Sequence, residues 1–304
     1  MTDGSVPPHP GTVRSHWVDL DGPTHWVDLP GDPSATPVVA VHGLGGSHAN
    51  WLAVAPLLAP AHHVYALDLA GHGRTRPDHR DTGVVANQRL LDRFLREVVG
   101  RPVVLMGNSM GGLISIAQAA RRPDTVAELV LVAPALPMPR MVPGPAAVAA
   151  VAAVAVPRVG PSLVRRRRSA PVQDQVEQLL DLCCVDAARV PADTREQMVA
   201  LAEERQQYEG VEDALVRSSQ SVVRALLDRT GYASALDAVR APVLVLHGEQ
   251  DRLVPVEASR RVVAARPSWQ LRTRPDLGHV PQLEDPLWTA RMIEEWLAEP
   301  AGAH

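Results

Sequence analysis

The sequence has no lysine, one phenylalanine and only two cysteines in 304 residues. All 30 basic residues are therefore arginine, and with 34 acidic ones the net charge is −4. That balance excludes a strongly basic surface built to coat nucleic acid or an anionic membrane, so no nucleic-acid partner is expected. The cysteines, Cys183 and Cys184, are adjacent. A disulfide framework needs spaced pairs, so the chain reads as one for a reducing, cytoplasmic compartment, with two small buried thiols. Long apolar runs are also missing. The longest, Ala146 to Val156, has eleven residues, against the roughly 18 or more that a membrane span needs. The first residues, MTDGSVPPHPG, are polar and proline-rich, without the apolar stretch of a secretion signal. With aromatics at 3 % of the chain, the core must be built from Val, Leu and Ala.

Short apolar runs are what the sequence does have. His16 to Leu20 and His25 to Leu29 repeat the text HWVDL around Asp21-Gly22-Pro23-Thr24, which predicts a β-hairpin. Continuous runs then follow at 37–41, 63–69, 102–106, 129–132 and 242–246, with a weaker one at 270–273. Runs of this kind read as strands buried on both faces. Between them lie stretches with helical spacing, at 51–58, 84–99, 113–120, 256–265 and 287–297. The alternation predicts an α/β fold, a mostly parallel sheet with helices on both faces. Residues 134–236 break it with proline-rich text and helical stretches but no comparable strand. The division expected is a core of 1–133 and 237–304, with 134–236 inserted as a helical cap.

Gly107-Asn108-Ser109-Met110-Gly111 follows directly on the run at 102–106 and opens a helix. A G-x-S-x-G sequence in that context is a nucleophile elbow, a sharp turn that lifts a serine hydroxyl above the sheet edge. The hydroxyl needs a base, and His279 in Leu277-Gly278-His279-Val280-Pro281 is the candidate. The imidazole needs an acid, and Asp251 lies just past the strand at 242–246. All three fall at C-terminal strand ends, where parallel sheets place their sites. Acyl transfer also needs donors for an oxyanion. The glycine-rich His42-Gly43-Leu44-Gly45-Gly46 supplies the N–H of Leu44, and the elbow supplies that of Met110. Other carboxylates compete poorly for the acid role. Glu249 lies two residues away, and Asp276, Glu284 and Asp285 read as surface or helix-start groups. None of the twelve histidines shows metal-ligand spacing, so neither metal nor cofactor is expected.

These motifs, with Asp68-Leu69-Ala70-Gly71-His72-Gly73-Arg74-Thr75 and Gly248-Glu249-Gln250-Asp251-Arg252-Leu253-Val254-Pro255, resemble those of the α/β-hydrolase superfamily. The resemblance implies an eight-stranded sheet, a helical cap inserted between strands 6 and 7, and a Ser109–His279–Asp251 triad. Superfamily dehalogenases and epoxide hydrolases carry aspartate at the elbow, so the serine here disfavours both. The resemblance leads to a carboxylic-ester hydrolase of carboxylesterase or monoacylglycerol-lipase type, acting on a small-molecule ester. Two alternatives stay open: a C–C bond hydrolase of a β-diketone-like ring-cleavage product, or a non-hydrolytic binding protein. The interval 135–235 contains Tyr208 and Tyr232 but no Trp or Phe, which suits small to medium apolar groups. Candidate substrate contacts are His42, Trp51, Met138, Arg140 and Val280, with His42 also shaping the oxyanion loop. The run Arg165 to Arg168 beside Ala146 to Val156 reads as a solvated face, or alternatively as a patch that meets lipid.

Overall fold

The computed structural model describes residues 12–137, 153–157 and 159–299. Strands β1 (Arg14–Asp19) and β2 (Pro23–Leu29) form the hairpin, with Asp21 and Gly22 at positive φ in its turn. β3 (Val38–Val41) leads through a short 3₁₀ turn to helix α1 (Ala55–Leu58), and β4 (Val64–Leu67) to α2 (Val84–Phe94). β5 (Val103–Asn108) turns sharply into α3 (Met110–Arg121), and β6 (Val126–Val132) follows. Among the described residues five helices then intervene: α4 (Gly160–Arg168), α5 (Val172–Cys183), α6 (Ala192–Arg205), α7 (Val211–Leu227) and α8 (Arg229–Ala238). β7 (Val243–Gly248), α9 (Val256–Ala264), β8 (Trp269–Arg274), α10 (Pro281–Glu284) and α11 (Pro286–Leu297) complete the order.

The eight strands form one sheet in the order β1-β2-β4-β3-β5-β6-β7-β8. Only the pairs made by β2 are antiparallel. β3, β5 and β7 are buried along their whole length, which is why they read as unbroken apolar runs. Because side chains alternate across a strand, successive residues feed two separate cores. Val39, Val41, Leu105, Leu129, Leu131 and Val245 meet α2, α3 and α8 on one face. Val38, Ala40, Met106, Val130, Val132 and Leu244 meet α1 and α11 on the other.

A third, smaller cluster joins α5 and α6 to the loops at the strand ends. Its members include Val176, Leu180, Cys184, Met198 and Leu201 from the helical segment, and Ala49, Val280 and Leu283 from below it. Helix α8 belongs elsewhere. Its Tyr232 and Leu236 lie in the first core, and the Tyr232 hydroxyl donates to the Ala135 carbonyl at 2.7 Å. Both cysteines are free thiols. Burial pushes the Cys183 thiol up to about 12, which disfavours its thiolate form. Among the described residues, no helix is long and apolar enough to cross a membrane.

Candidate active site

The elbow between β5 and α3 places Ser109 at φ +53°, ψ −116°. For a residue with a Cβ this costs about 1–3 kcal/mol and is held only by its surroundings. The surroundings leave little choice. The Ser109 N–H donates to the Val132 carbonyl at 3.1 Å, and its own carbonyl accepts from Ala135 at 3.0 Å. A Cβ at Gly111 would stand 2.2 Å from the Val41 carbonyl oxygen, and one at Gly107 2.5 Å from that of Gly111. Glycine is thus required on both sides by close backbone approach. Ser109 remains partly exposed while Asn108 and Met110 are buried.

Asp251 and His279 meet beside this elbow. His279 Nδ1 lies 2.7 Å from Asp251 Oδ2. A carboxylate can only accept, so Nδ1 carries the proton and Nε2 is left with its lone pair. The other carboxylate oxygen of Asp251 accepts from the N–H groups of Leu253 at 2.7 Å and Val254 at 2.9 Å. Burial alone would raise this carboxyl's pKa, but the charge and hydrogen bonds of His279 and His247 hold it well below the ordinary range. Asn108 ties the parts together: its amide donates to Val132 O at 3.0 Å and to His279 O at 3.1 Å.

The loop after β3 passes directly against the serine, with a Cβ at Gly43 falling 3.1 Å from that of Ser109. Neither the Leu44 nor the Met110 N–H has a hydrogen-bond partner among the described residues. His42 fixes this loop from behind. Its Nε2 accepts from the Leu69 N–H at 3.1 Å, so its Nδ1 carries the proton and donates to Gly43 O at 2.8 Å. Burial pushes the imidazole down to about 4, which keeps it neutral.

The candidate substrate contacts fare differently. His42 is fully buried and touches loop backbone instead. Trp51, which the sequence allows either at the site's floor or in the core, has no exposed surface and packs with α1 and α11 in the second core. Val280 is spent in the cluster that seats the helical segment. All three are held in packing or loop contacts, and Val280 alone keeps a small exposed surface, 4 %. Met138 and Arg140 lie outside the described residues. The described residue that reaches toward the oxyanion loop is Leu215 of α7, whose Cδ1 would lie 3.7 Å from a Cβ on Gly45.

Two residues escaped the sequence reading. His247, fully buried, shares Asp251 Oδ2 through Nε2 at 3.1 Å and faces Ser259 Oγ through Nδ1 at 2.8 Å. Its position four residues before Asp251 was the available signal. Glu284 was read as a surface or helix-start group, but it is buried and not a cap; Asp285 next to it caps α11 by accepting from Trp288 N at 2.9 Å. Glu284 accepts instead from Gly278 N at 2.8 Å and from Val185 N and Asp186 N at 2.9 Å each. It joins the His279 loop to the chain leaving α5, and the His279 N–H adds a bond to Cys183 O at 2.6 Å.

Among the described residues one buried group has metal-ligating chemistry: the ligand atoms of His25, His48 and Asp68 lie within 4.8 Å of one another. Asp68 is, however, saturated by hydrogen bonds. It accepts from His25 Nδ1 at 2.7 Å, His48 Nδ1 at 2.9 Å, His48 N at 2.7 Å and Arg74 N at 2.9 Å. These hydrogen bonds tie the hairpin to the loops after β3 and β4.

Comparison with known proteins agrees with this architecture. A 2-hydroxy-6-oxononadienedioate/2-hydroxy-6-oxononatrienedioate hydrolase of Cupriavidus pinatubonensis is 27 % identical over 269 residues, covering 86 % of this chain and 87 % of that protein. A pimeloyl-[acyl-carrier protein] methyl ester esterase of Aromatoleum aromaticum is 30 % identical over 276 residues, covering 85 % and 96 %. The crystal structure of a membrane phospholipase A superposes with a TM-score of 0.72 at 27 % identity, covering 94 % of this chain and 86 % of that one. Residues 38–292 match the alpha/beta hydrolase family, and with the elbow, the sheet order and the strand-end loops in place, the chain is a member of that family.

Proposed function

We propose that this hydrolase is a serine esterase of carboxylesterase or monoacylglycerol-lipase type. It cleaves carboxylic esters with small to medium apolar acyl or alkyl groups through an acyl-enzyme. The observation that carries the reading is Ser109, partly exposed at φ +53°, on an elbow whose neighbour Asn108 holds the His279 loop. Ser109 Oγ attacks the carbonyl while His279 Nε2 takes its proton, and Asp251 stabilises the resulting imidazolium. The Leu44 and Met110 N–H groups receive the oxyanion, each worth about 2.7–4 kcal/mol in such sites. The leaving alcohol takes the proton from His279. Water then gives a proton to His279 as it attacks the acyl-enzyme, and His279 returns that proton to Ser109 Oγ as the acid leaves. The helices from 160 to 227 act as the lid, and Leu215 offers the acyl pocket an aliphatic wall. The esterase relative supports this reading.

A second reading is C–C bond hydrolysis of a ring-cleavage product, favoured by the Cupriavidus relative's activity. A chain-length series of p-nitrophenyl esters, run beside a vinylogous 1,5-diketone acid, separates the two. Ester turnover that peaks at short to medium chains and vanishes in Ser109→Ala is the expected result. Turnover of the diketone alone would transfer the assignment to the second reading, and ester turnover surviving in Ser109→Ala would end the serine mechanism.

A further inference from the structure

The chain has net charge −4, yet residues 134–173 contain six arginines and no Asp or Glu. Arg165 to Arg168 of this stretch stand on α4, at the end of a segment with several exposed apolar side chains. Val156, Val159 and Leu163, spaced for one side of a helix, are 46 %, 46 % and 39 % exposed. Beside them the end of α7 adds Leu227, 74 % exposed, and a shallow groove lined by Ala155, Pro157, Val223, Arg224 and Leu227 makes the two stretches continuous. Arginines edge this apolar face. Arg168 is occupied by Glu212 at 3.2 Å. Arg165, Arg166 and Arg224 are exposed and have no carboxylate partner among the described residues.

We propose that this face docks on an anionic lipid surface. Exposed aliphatic side chains beside unpaired arginines are what an interfacial element needs, apolar groups for the acyl boundary and cations for the headgroups. Arginine suits the second role because its planar fork pairs with phosphate bidentately. Charge complementarity selects lipid over a second copy of this chain, since two such faces would repel. The face also has a route to the site. Leu227 lies twelve residues from Leu215, about 18 Å along one helix, and Leu215 reaches the oxyanion loop. Docking would therefore set α7 between the bilayer and Ser109. Delivery of an acyl substrate by that route rests on the esterase reading, whereas docking itself does not.

Co-sedimentation of the full-length Ser109→Ala protein with vesicles tests docking apart from hydrolysis. Vesicles of phosphatidylcholine with about 30 % phosphatidylglycerol should bind it, and pure phosphatidylcholine should not. Salt at about 0.5 M should release most of it. The variant Arg165→Ser/Arg166→Ser/Arg224→Ser should bind roughly a hundredfold more weakly, and Leu163→Ser/Leu227→Ser at least tenfold, with unchanged circular dichroism and melting temperature. Equal binding to both vesicle types, or variants that bind like the parent, would overturn the proposal. So would a dimer in light scattering that Leu227→Ser dissolves, or a monomer inert to vesicles.

Discussion

Along β3, β5 and β7 every residue is buried, and alternate positions feed two large aliphatic cores. Along α4 to α6 burial falls to two or three positions per helix. The helical segment is held instead by a small cluster and a few polar ties. Arg205 donates to the carbonyls of Gly71 and Gly73, Arg252 to those of Asp181 and Cys184, and Glu284 accepts from Val185 and Asp186. A truncation in the close-packed core is felt as lost global stability. The seat of the helical segment is smaller, and some of its ties land on Arg252, next to Asp251, and on the backbone around His279. How the helices sit and how the histidine is placed are thus one structural question.

The largest effect expected is at the elbow, where strain and chemistry share a residue. Ser109→Gly should abolish turnover, a loss of about 10⁴-fold or more, while raising unfolding free energy by about 1 kcal/mol as the positive φ becomes unstrained. Kinetics and denaturant titration on the same preparation check both halves.

Next comes the contrast between interiors. Leu105→Ala in the first core should cost about 2–5 kcal/mol of global stability. Leu201→Ala in the small cluster should cost less globally and should speed hydrogen exchange in α5 and α6 selectively. Equal, global losses from both would erase the distinction between the regions.

Glu284→Gln keeps the shape but leaves only one oxygen for three N–H donors. Such a buried loss costs about 1–3 kcal/mol, and kcat should fall about tenfold with KM nearly unchanged. A fall in stability with no change in kcat would separate Glu284 from the placement of His279.

The smallest change is in pH dependence. Burial pushes His42 down to about 4 and His72 to about 3. Unfolded, each would titrate near 6.5. Between those values the unfolded chain binds more protons, so stability is complete above about pH 6.5 and declines as the pH falls toward 4. Asp251, with its depressed carboxyl, loses stability in the same direction below about pH 4. His72→Leu should flatten the decline between pH 6.5 and 4 in denaturant titrations, and an unaltered slope would count against neutral burial as its cause.

What the sequence revealed follows the same division. Strands buried on both faces spell themselves out as apolar runs, and the Ser109, Asp251 and His279 loops each carry a short glycine-marked motif. Trp51 was not legible, because a tryptophan after a loop looks alike in a core and in a pocket. Glu284 and Asp285 are adjacent acids, one buried and one capping, and the difference depends on Val185, 99 residues away. The packing of the last helix of the interval 134–236 was not legible for a related reason. Helix α8 has ordinary helical spacing, and only its contact with α3 shows that it belongs to the core.

The most direct test of the account is covalent labelling of the intact protein by a fluorophosphonate ester, followed by peptide mass spectrometry. The account predicts one phosphonyl group per chain, on Ser109, formed slowly or not at all in His279→Ala and absent in Ser109→Gly. Labelling at another residue, or labelling of Ser109 at full speed without His279, would contradict it.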